Sequence, residues 1–351
     1  MASSCLGDRF AHGKWQHVRG IRDGERLHAR NELLECGPRC NASELPCVSW
    51  EYGNSSCGPA LNEARLCRAL RCRSMLIVGD STMGRLVSAL SIYAGRSWVR
   101  TVPRYADGAY ACPMTPPIIY ELCANVSAAC PRGNNVSYWR NDHLLRADGL
   151  LNRSMPGAEP AAACDWWRNE SILTRYGDLL LLSRGAHVME YTQDLRASRS
   201  FHAARANELA EAVLRPHLAA QRNRVAIILH AHWGALHATR REHGPLAAPE
   251  APRPMWHWDL MPMISHVEVE TLRRALPQAA ANGLAAAPNA SPHQDHRDEH
   301  EGRAGGTLIA VDPTRALSQR QDCRDNHLHV VSALYLASTW RMVQNALAAL
   351  S

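Results

Sequence analysis

Four short apolar runs, each of strand length and set among helical patterns, restrict this chain to an alternating α/β fold. They occupy 74–79, 178–183, 224–230 and 307–311, and they are built almost wholly from Leu, Ile, Val, Met and Ala. Runs of this length without polar alternation suit strands buried on both faces of a parallel sheet. Beyond the first run, Met83, Leu86, Val87 and Leu90 recur at i, i+3, i+4 and i+7, the stripe of an amphipathic helix. Residues 201–220 are rich in Ala, Glu, Leu and Arg, with Pro216 placed to kink a helix. Val269, Leu272 and Leu276 mark another helix, and Leu336, Trp340, Val343 and Leu347 share one face of the last. This order predicts a doubly wound parallel sheet with helices on both faces.

The first run ends in a turn with chemical consequences. Gly79-Asp80-Ser81-Thr82 lies between strand and helix, which puts Ser81 at the carboxyl end of a strand and the amino end of a helix. An α/β sheet opens its ligand crevice there, and backbone amides there can hold developing negative charge. Ser81 is thus placed as a nucleophile, although Ser and Asp are also favoured helix caps.

The 351 residues allow one large α/β domain or a domain with an appendage. The net charge of +6 is spread over scattered arginines without a long basic run, so a nucleic-acid partner is not expected. The 12 cysteines (5, 36, 40, 47, 57, 67, 72, 112, 123, 130, 164 and 323) contain no CxxC or zinc-finger spacing. Disulfides in an oxidising compartment fit this set better. Sequons at Asn41, Asn54, Asn125, Asn135, Asn152, Asn169 and Asn289 point the same way, to the secretory lumen. The first residues carry no charged and apolar leader, and no run approaches the ~20 apolar residues of a membrane span. The expectation is the lumenal portion of a longer, membrane-anchored protein, with no anchor in this stretch.

Residues 1–73 hold seven of the 12 cysteines and show no clear period, so they read as a disulfide-stapled cap ahead of a domain spanning 74–351. Seven is odd, so full oxidation requires at least one cap cysteine to pair with Cys112, Cys123, Cys130, Cys164 or Cys323. Cys323 would pin the loop around it. Residues 279–306 read as a long surface loop or disordered insertion. Its His293, His296 and His300 suit a solvated charged loop better than a metal site, and His230, His232 and His237 lack a further ligand, so no metal is expected.

A serine nucleophile needs a base, and the base needs an orienting acid. The segment 321–329 supplies both, with Asp322, Asp325, His327 and His329 between the fourth strand and the last helix. Arg140-Asn141-Asp142-His143 is either an acceptor-binding loop or a plain polar turn. Trp166 and Trp167 suit sugar stacking or a core.

The Gly79-Asp80-Ser81 block and the late Asp/His cluster resemble the SGNH (GDSL) hydrolase superfamily. Gly13-Lys14-Trp15, Trp50-Glu51-Tyr52 and Ser183-Arg184-Gly185-Ala186-His187 bring the likeness closer to its trichome-birefringence-like, PC-esterase branch of polysaccharide O-acetyltransferases. The resemblance implies that Ser81 takes an acetyl group and passes it to a sugar hydroxyl, with Asp322 and His327 as the acid–base pair, or Asp325 and His329 as alternates. The Ser81 amide, with Ser183 or Gly185, would hold the oxyanion; His187 and Arg140 would contact substrate. It implies no bound cofactor, an acetyl donor (acetyl-CoA or a downstream carrier) as co-substrate, a glycan acceptor, a membrane acetyl-donor transporter as partner, and a Golgi or secreted location.

Two departures stand out. Ser183 occupies the place of the family's oxyanion-binding Asn, and no His follows Asp322 or Asp325 by three residues. A secreted carbohydrate or lipid esterase and a non-catalytic glycan-binding descendant are therefore the alternatives.

Overall fold

The computed structural model describes residues 13–17, 48–52, 61–94, 99–102, 118–123, 134–141, 143–145, 166–168, 173–174, 177–184, 195–221, 224–229, 261–280, 305–311, 313, 324–325, 329–330 and 333–350. An antiparallel pair, β1 (Gly13–His17) and β2 (Val48–Tyr52), comes before a seven-stranded sheet in the chain. The four expected runs form β3 (Met75–Gly79), β7 (Leu179–Leu182), β8 (Val225–Leu229) and β9 (Thr307–Val311), adjacent and parallel in that order. Each continues the ladder of the last, with Leu76 beside Leu180, Leu180 beside Ala226 and Ala226 beside Leu308.

The sheet is mixed, and this corrects the expectation of a wholly parallel one. On the other side of β3 lies β6 (Asn134–Arg140), parallel to it, followed by β5 (Ile118–Leu122) and the edge strand β4 (Val99–Val102). β5 runs antiparallel to both its neighbours. These three strands left little trace in the sequence. β6 carries Asn134, Asn135, Ser137 and Arg140 among its seven residues, so it has no apolar run. Its buried Ser137 hydroxyl is instead satisfied internally, accepting from Trp139 Nε1 at 2.9 Å.

Helices cover both faces, as expected. The period of two along the strands sorts side chains into two cores. Met75, Ile77, Leu179, Leu181, Val225 and Ile227 face one way, packing with α1 (Glu63–Leu70), α2 (Ser81–Ala94) and α6 (Ala333–Ala348). Leu76, Val78, Leu180, Leu182, Ala226 and Ile228 face the other, against α3 (Leu195–Leu209), α4 (Arg215–Ala220) and α5 (Met261–Ala275). Met83, Leu86, Val87 and Leu90 are all buried, and Trp340 Nε1 donates to Leu86 O at 2.7 Å, tying α6 to α2. Between α3 and α4, Ala210–Leu214 form a π-helical turn in which the Arg215 N–H reaches back to Ala210 O. Pro216, one residue on, lacks an N–H and its ring crowds the preceding turn, so the helix widens ahead of it.

The stretch expected to be irregular contains α1. Asn62 caps it, its Oδ1 accepting from Arg65 N at 3.2 Å, and Leu66, Cys67, Ala69 and Leu70 are buried in the core of that face. A disulfide joins Cys67 to Cys123 just after β5, a pairing of the kind the odd cysteine count required. Cys72 is disulfide-bonded as well. Cys323 and most of 279–306 lie outside the described residues; Ala279 and Ala280 at its start are helical. No helix among the described residues is long and apolar enough to cross a membrane.

Candidate active site

In chain order the parallel strands β3, β6, β7, β8 and β9 stand in the arrangement 2-1-3-4-5. The chain leaves β3 toward one edge and later returns on its other side, so the strand order reverses between β3 and β7. Such sheets bind ligands outside the carboxyl ends of strands at that reversal. Here those ends are Gly79 and Ser183.

Gly79 is where backbones converge. Its carbonyl accepts the Asn141 N–H at 2.9 Å from the β6 side, and on the β7 side Ser183 N–H donates to Val78 O at 3.1 Å. A Cβ on Gly79 would lie 2.5 Å from Met83 Cγ and 2.7 Å from the Ser183 carbonyl oxygen. The carbonyl cannot yield without parting β3 from β7. Gly79→Ala is therefore expected to lose ~1–3 kcal/mol of stability, measured by urea unfolding. An unchanged midpoint would show that the two strand ends are not this close in solution.

Asp80 is completely buried and caps α2. Its Oδ1 accepts Thr82 N–H at 2.9 Å and also the Thr82 hydroxyl, while its carbonyl accepts from Met83 N at 3.1 Å and Gly84 N at 3.2 Å. Tyr138 of β6 donates its hydroxyl to the same carbonyl at 2.7 Å. Gly84 leaves room for that ring, since a Cβ there would meet Tyr138 Oη at 3.0 Å. Asp80 thus caps the helix. Ser81 occupies the first position of α2, where a helix supplies no intrahelical acceptor for the backbone N–H.

The structure brings Arg140, Asn141 and Ser183 to this turn. Arg140 stands beside Gly79 in the β3–β6 register and is half-buried. Asn141 is wholly buried and its Oδ1 accepts the His143 N–H at 3.1 Å, which makes this segment a polar turn at Asn141. Ser183, 1% exposed, follows β7 directly. Asp325 and His329 occupy directly opposed positions of a two-residue ladder between β10 (Arg324–Asp325) and β11 (His329–Val330), and β11 lies against α2. Asp322, His327, Gly185 and His187 fall outside the described residues, as do the histidines at 230, 232 and 237.

Trp166 is a core residue, its Nε1 donating to Leu144 O at 2.8 Å, with Trp167 packed edge-on beside it. Of the sequons, only Asn135 is described; it lies half-buried within β6 opposite Glu121, and its partner Ser137 is fully buried. No group of three His, Cys, Asp or Glu that could hold a metal occurs among the described residues.

A polar cluster behind the crevice went unnoticed in the sequence. Arg184, the residue after Ser183, is 3% exposed, and its Nε lies 3.3 Å from Glu268 Oε1 of α5. His202 of α3 is fully buried, and among the described residues neither ring nitrogen has a hydrogen-bond partner. The available signal was a broken stripe: Glu268 stands between Ile264 and Leu272 at core spacing, and His202 lies four residues before the buried Ala206.

Burial lowers the Arg184 pKa, with Glu268 opposing. Burial, with the Arg184 charge acting in the same direction, pushes His202 down to about 3. His217 of α4 is likewise pushed to about 3 by burial and by Arg224. Both imidazoles stay neutral in the fold, whereas an unfolded imidazole takes up a proton near 6.5. Their contribution to stability is therefore complete above about pH 6.5 and shrinks as pH falls, by up to ~1.4 kcal/mol per pH unit for each histidine. Urea unfolding at pH 7.5, 6 and 5 should show this slope. A His202→Leu, His217→Leu double variant with the same acid slope would contradict it.

Compared with known proteins, the chain matches no family model and no curated protein.

Proposed function

We propose that this protein is a serine acyltransferase of SGNH type that moves an acetyl group through Ser81 to hydroxyls of a cell-wall or secreted glycan. The observation that carries the reading is the place of Ser81: the first helical position after a capped turn, at the reversal of strand order, with capping done by Asp80. The opposed pair Asp325 and His329, on a ladder lying against α2, supports these two as the orienting acid and the general base. In this reading His329 takes the Ser81 proton as Oγ attacks the acetyl carbonyl. The backbone N–H at Ser81 stabilises the oxyanion, and the protonated imidazole gives its proton to the leaving group. A sugar hydroxyl, deprotonated by the same histidine, then takes the acetyl from the serine. In this reading the protein works in the secretory lumen, supplied with acetyl groups by a membrane donor system.

The test combines the purified protein with a labelled acetyl donor and oligosaccharide acceptors, and separately with a fluorophosphonate probe followed by peptide mass mapping. A probe adduct on the peptide holding Ser81, together with acetylated sugar, is the expected result. Adduct with acetate release alone would make the protein an esterase. Absence of any adduct would remove the enzymatic reading.

A further inference from the structure

The Arg184–Glu268 pair is an unusual component of its surroundings. Both side chains are 3% exposed, and they bridge the end of β7 and the middle of α5 beside a core rich in Leu, Ile, Val and Ala. Desolvating two charges this fully costs about as much as their attraction returns, so an apolar pair would serve stability as well or better. The contact is an ion pair through Nε and Oε1, and among the described residues Arg184 Nη1 has no hydrogen-bond partner.

Its location supplies a reason other than stability. Arg184 follows Ser183, whose N–H is held by Val78 O and whose carbonyl sits against Gly79, two residues before Ser81. The backbone past β7 is thus fixed on one side by the nucleophile's own strand. On the other side the Arg184 side chain reaches to α5.

We propose that Arg184 and Glu268 are positioning residues, holding Ser183 against the Ser81 turn so that its hydroxyl can meet the oxyanion of acyl transfer. This rests on the acyl-transfer reading above. Neither side chain touches substrate; the pair acts through the placement of the strand end. A displacement of even an ångström at such a site is enough to cost ~10²-fold in rate.

Three variants test it: Glu268→Gln, which keeps shape and removes charge; Arg184→Lys, which keeps charge and loses the planar fork; and the apolar pair Arg184→Met with Glu268→Leu. Steady-state kinetics, thermal midpoint and the rate of fluorophosphonate labelling at Ser81 are measured on each. Glu268→Gln should lower kcat ~10²-fold with KM within about twofold, and Arg184→Lys should fall between it and wild type. The apolar pair should regain the wild-type midpoint without regaining kcat, a split that a purely structural role cannot produce. Wild-type kcat in Glu268→Gln or in the apolar pair overturns the proposal, as does failure of all three to fold. If wild type itself is not labelled, the acyl-transfer reading fails and takes this inference with it; labelled wild type with unaffected variants removes the positioning role alone.

Discussion

Replacing Ser81 with alanine is expected to reduce acetyl transfer by roughly 10⁴–10⁶-fold, the loss that follows when a nucleophile acting within a catalytic unit is removed. Folding should be spared, because the bonds that shape the turn belong to its neighbours. Asp80 accepts from Thr82, Met83 and Gly84, Tyr138 donates to the Asp80 carbonyl, and Asn141 donates to the Gly79 carbonyl. Alanine is a good helix former and is acceptable at the first helical position. The thermal midpoint should therefore move little while turnover and probe labelling vanish together. Transfer that persists at the wild-type rate in Ser81→Ala would end the case for a serine mechanism, whatever the fold.

The second large effect concerns stability. Glu268→Ala should cost ~3–5 kcal/mol, since it strands the Arg184 guanidinium in a core with its main counter-charge gone. Burial already holds the Arg184 pKa below its ordinary value, and Glu268 opposes this more than Glu208 does. An exposed pair of the same chemistry provides the control. Arg215 Nη2 lies 2.7 Å from Glu211 Oε1, a shorter contact than that of Arg184, yet these side chains are 51% and 61% exposed. Water solvates both partners there, so Glu211→Ala should leave the unfolding midpoint within experimental scatter. If the two alanine variants proved equally harmless, the Arg184–Glu268 pair would have to be open to solvent.

How far the site was legible differs residue by residue. The Ser81 turn could be read because its signals are local: an apolar run, a glycine, a cap residue and a helical stripe within 12 positions, 74–85. Arg184 and Glu268 could not be paired, because 84 positions separate them and neither residue type announces burial. Ser81 had two readings in sequence, nucleophile and helix cap. The hydrogen bonds of Asp80 add that the residue before it caps the helix. Between Asp322 with His327 and Asp325 with His329 the sequence made no choice, and the first two lie outside the described residues. The β10–β11 register adds that the second two stand opposite each other.

The sequence by itself determined the α/β class, the four parallel strands β3, β7, β8 and β9, the helices that follow them and the strand–turn–helix unit around Ser81. These depend on burial periodicity and capping, which are written within a few residues of each position. Only the tertiary structure decided the β4–β5–β6 half of the sheet, the antiparallel course of β5, the Cys67–Cys123 link and the buried Arg184–Glu268 pair. Each depends on partners far apart in the chain. β6 in particular is polar enough to pass for a loop, and it becomes a central strand because β3 and β5 satisfy its backbone on both sides.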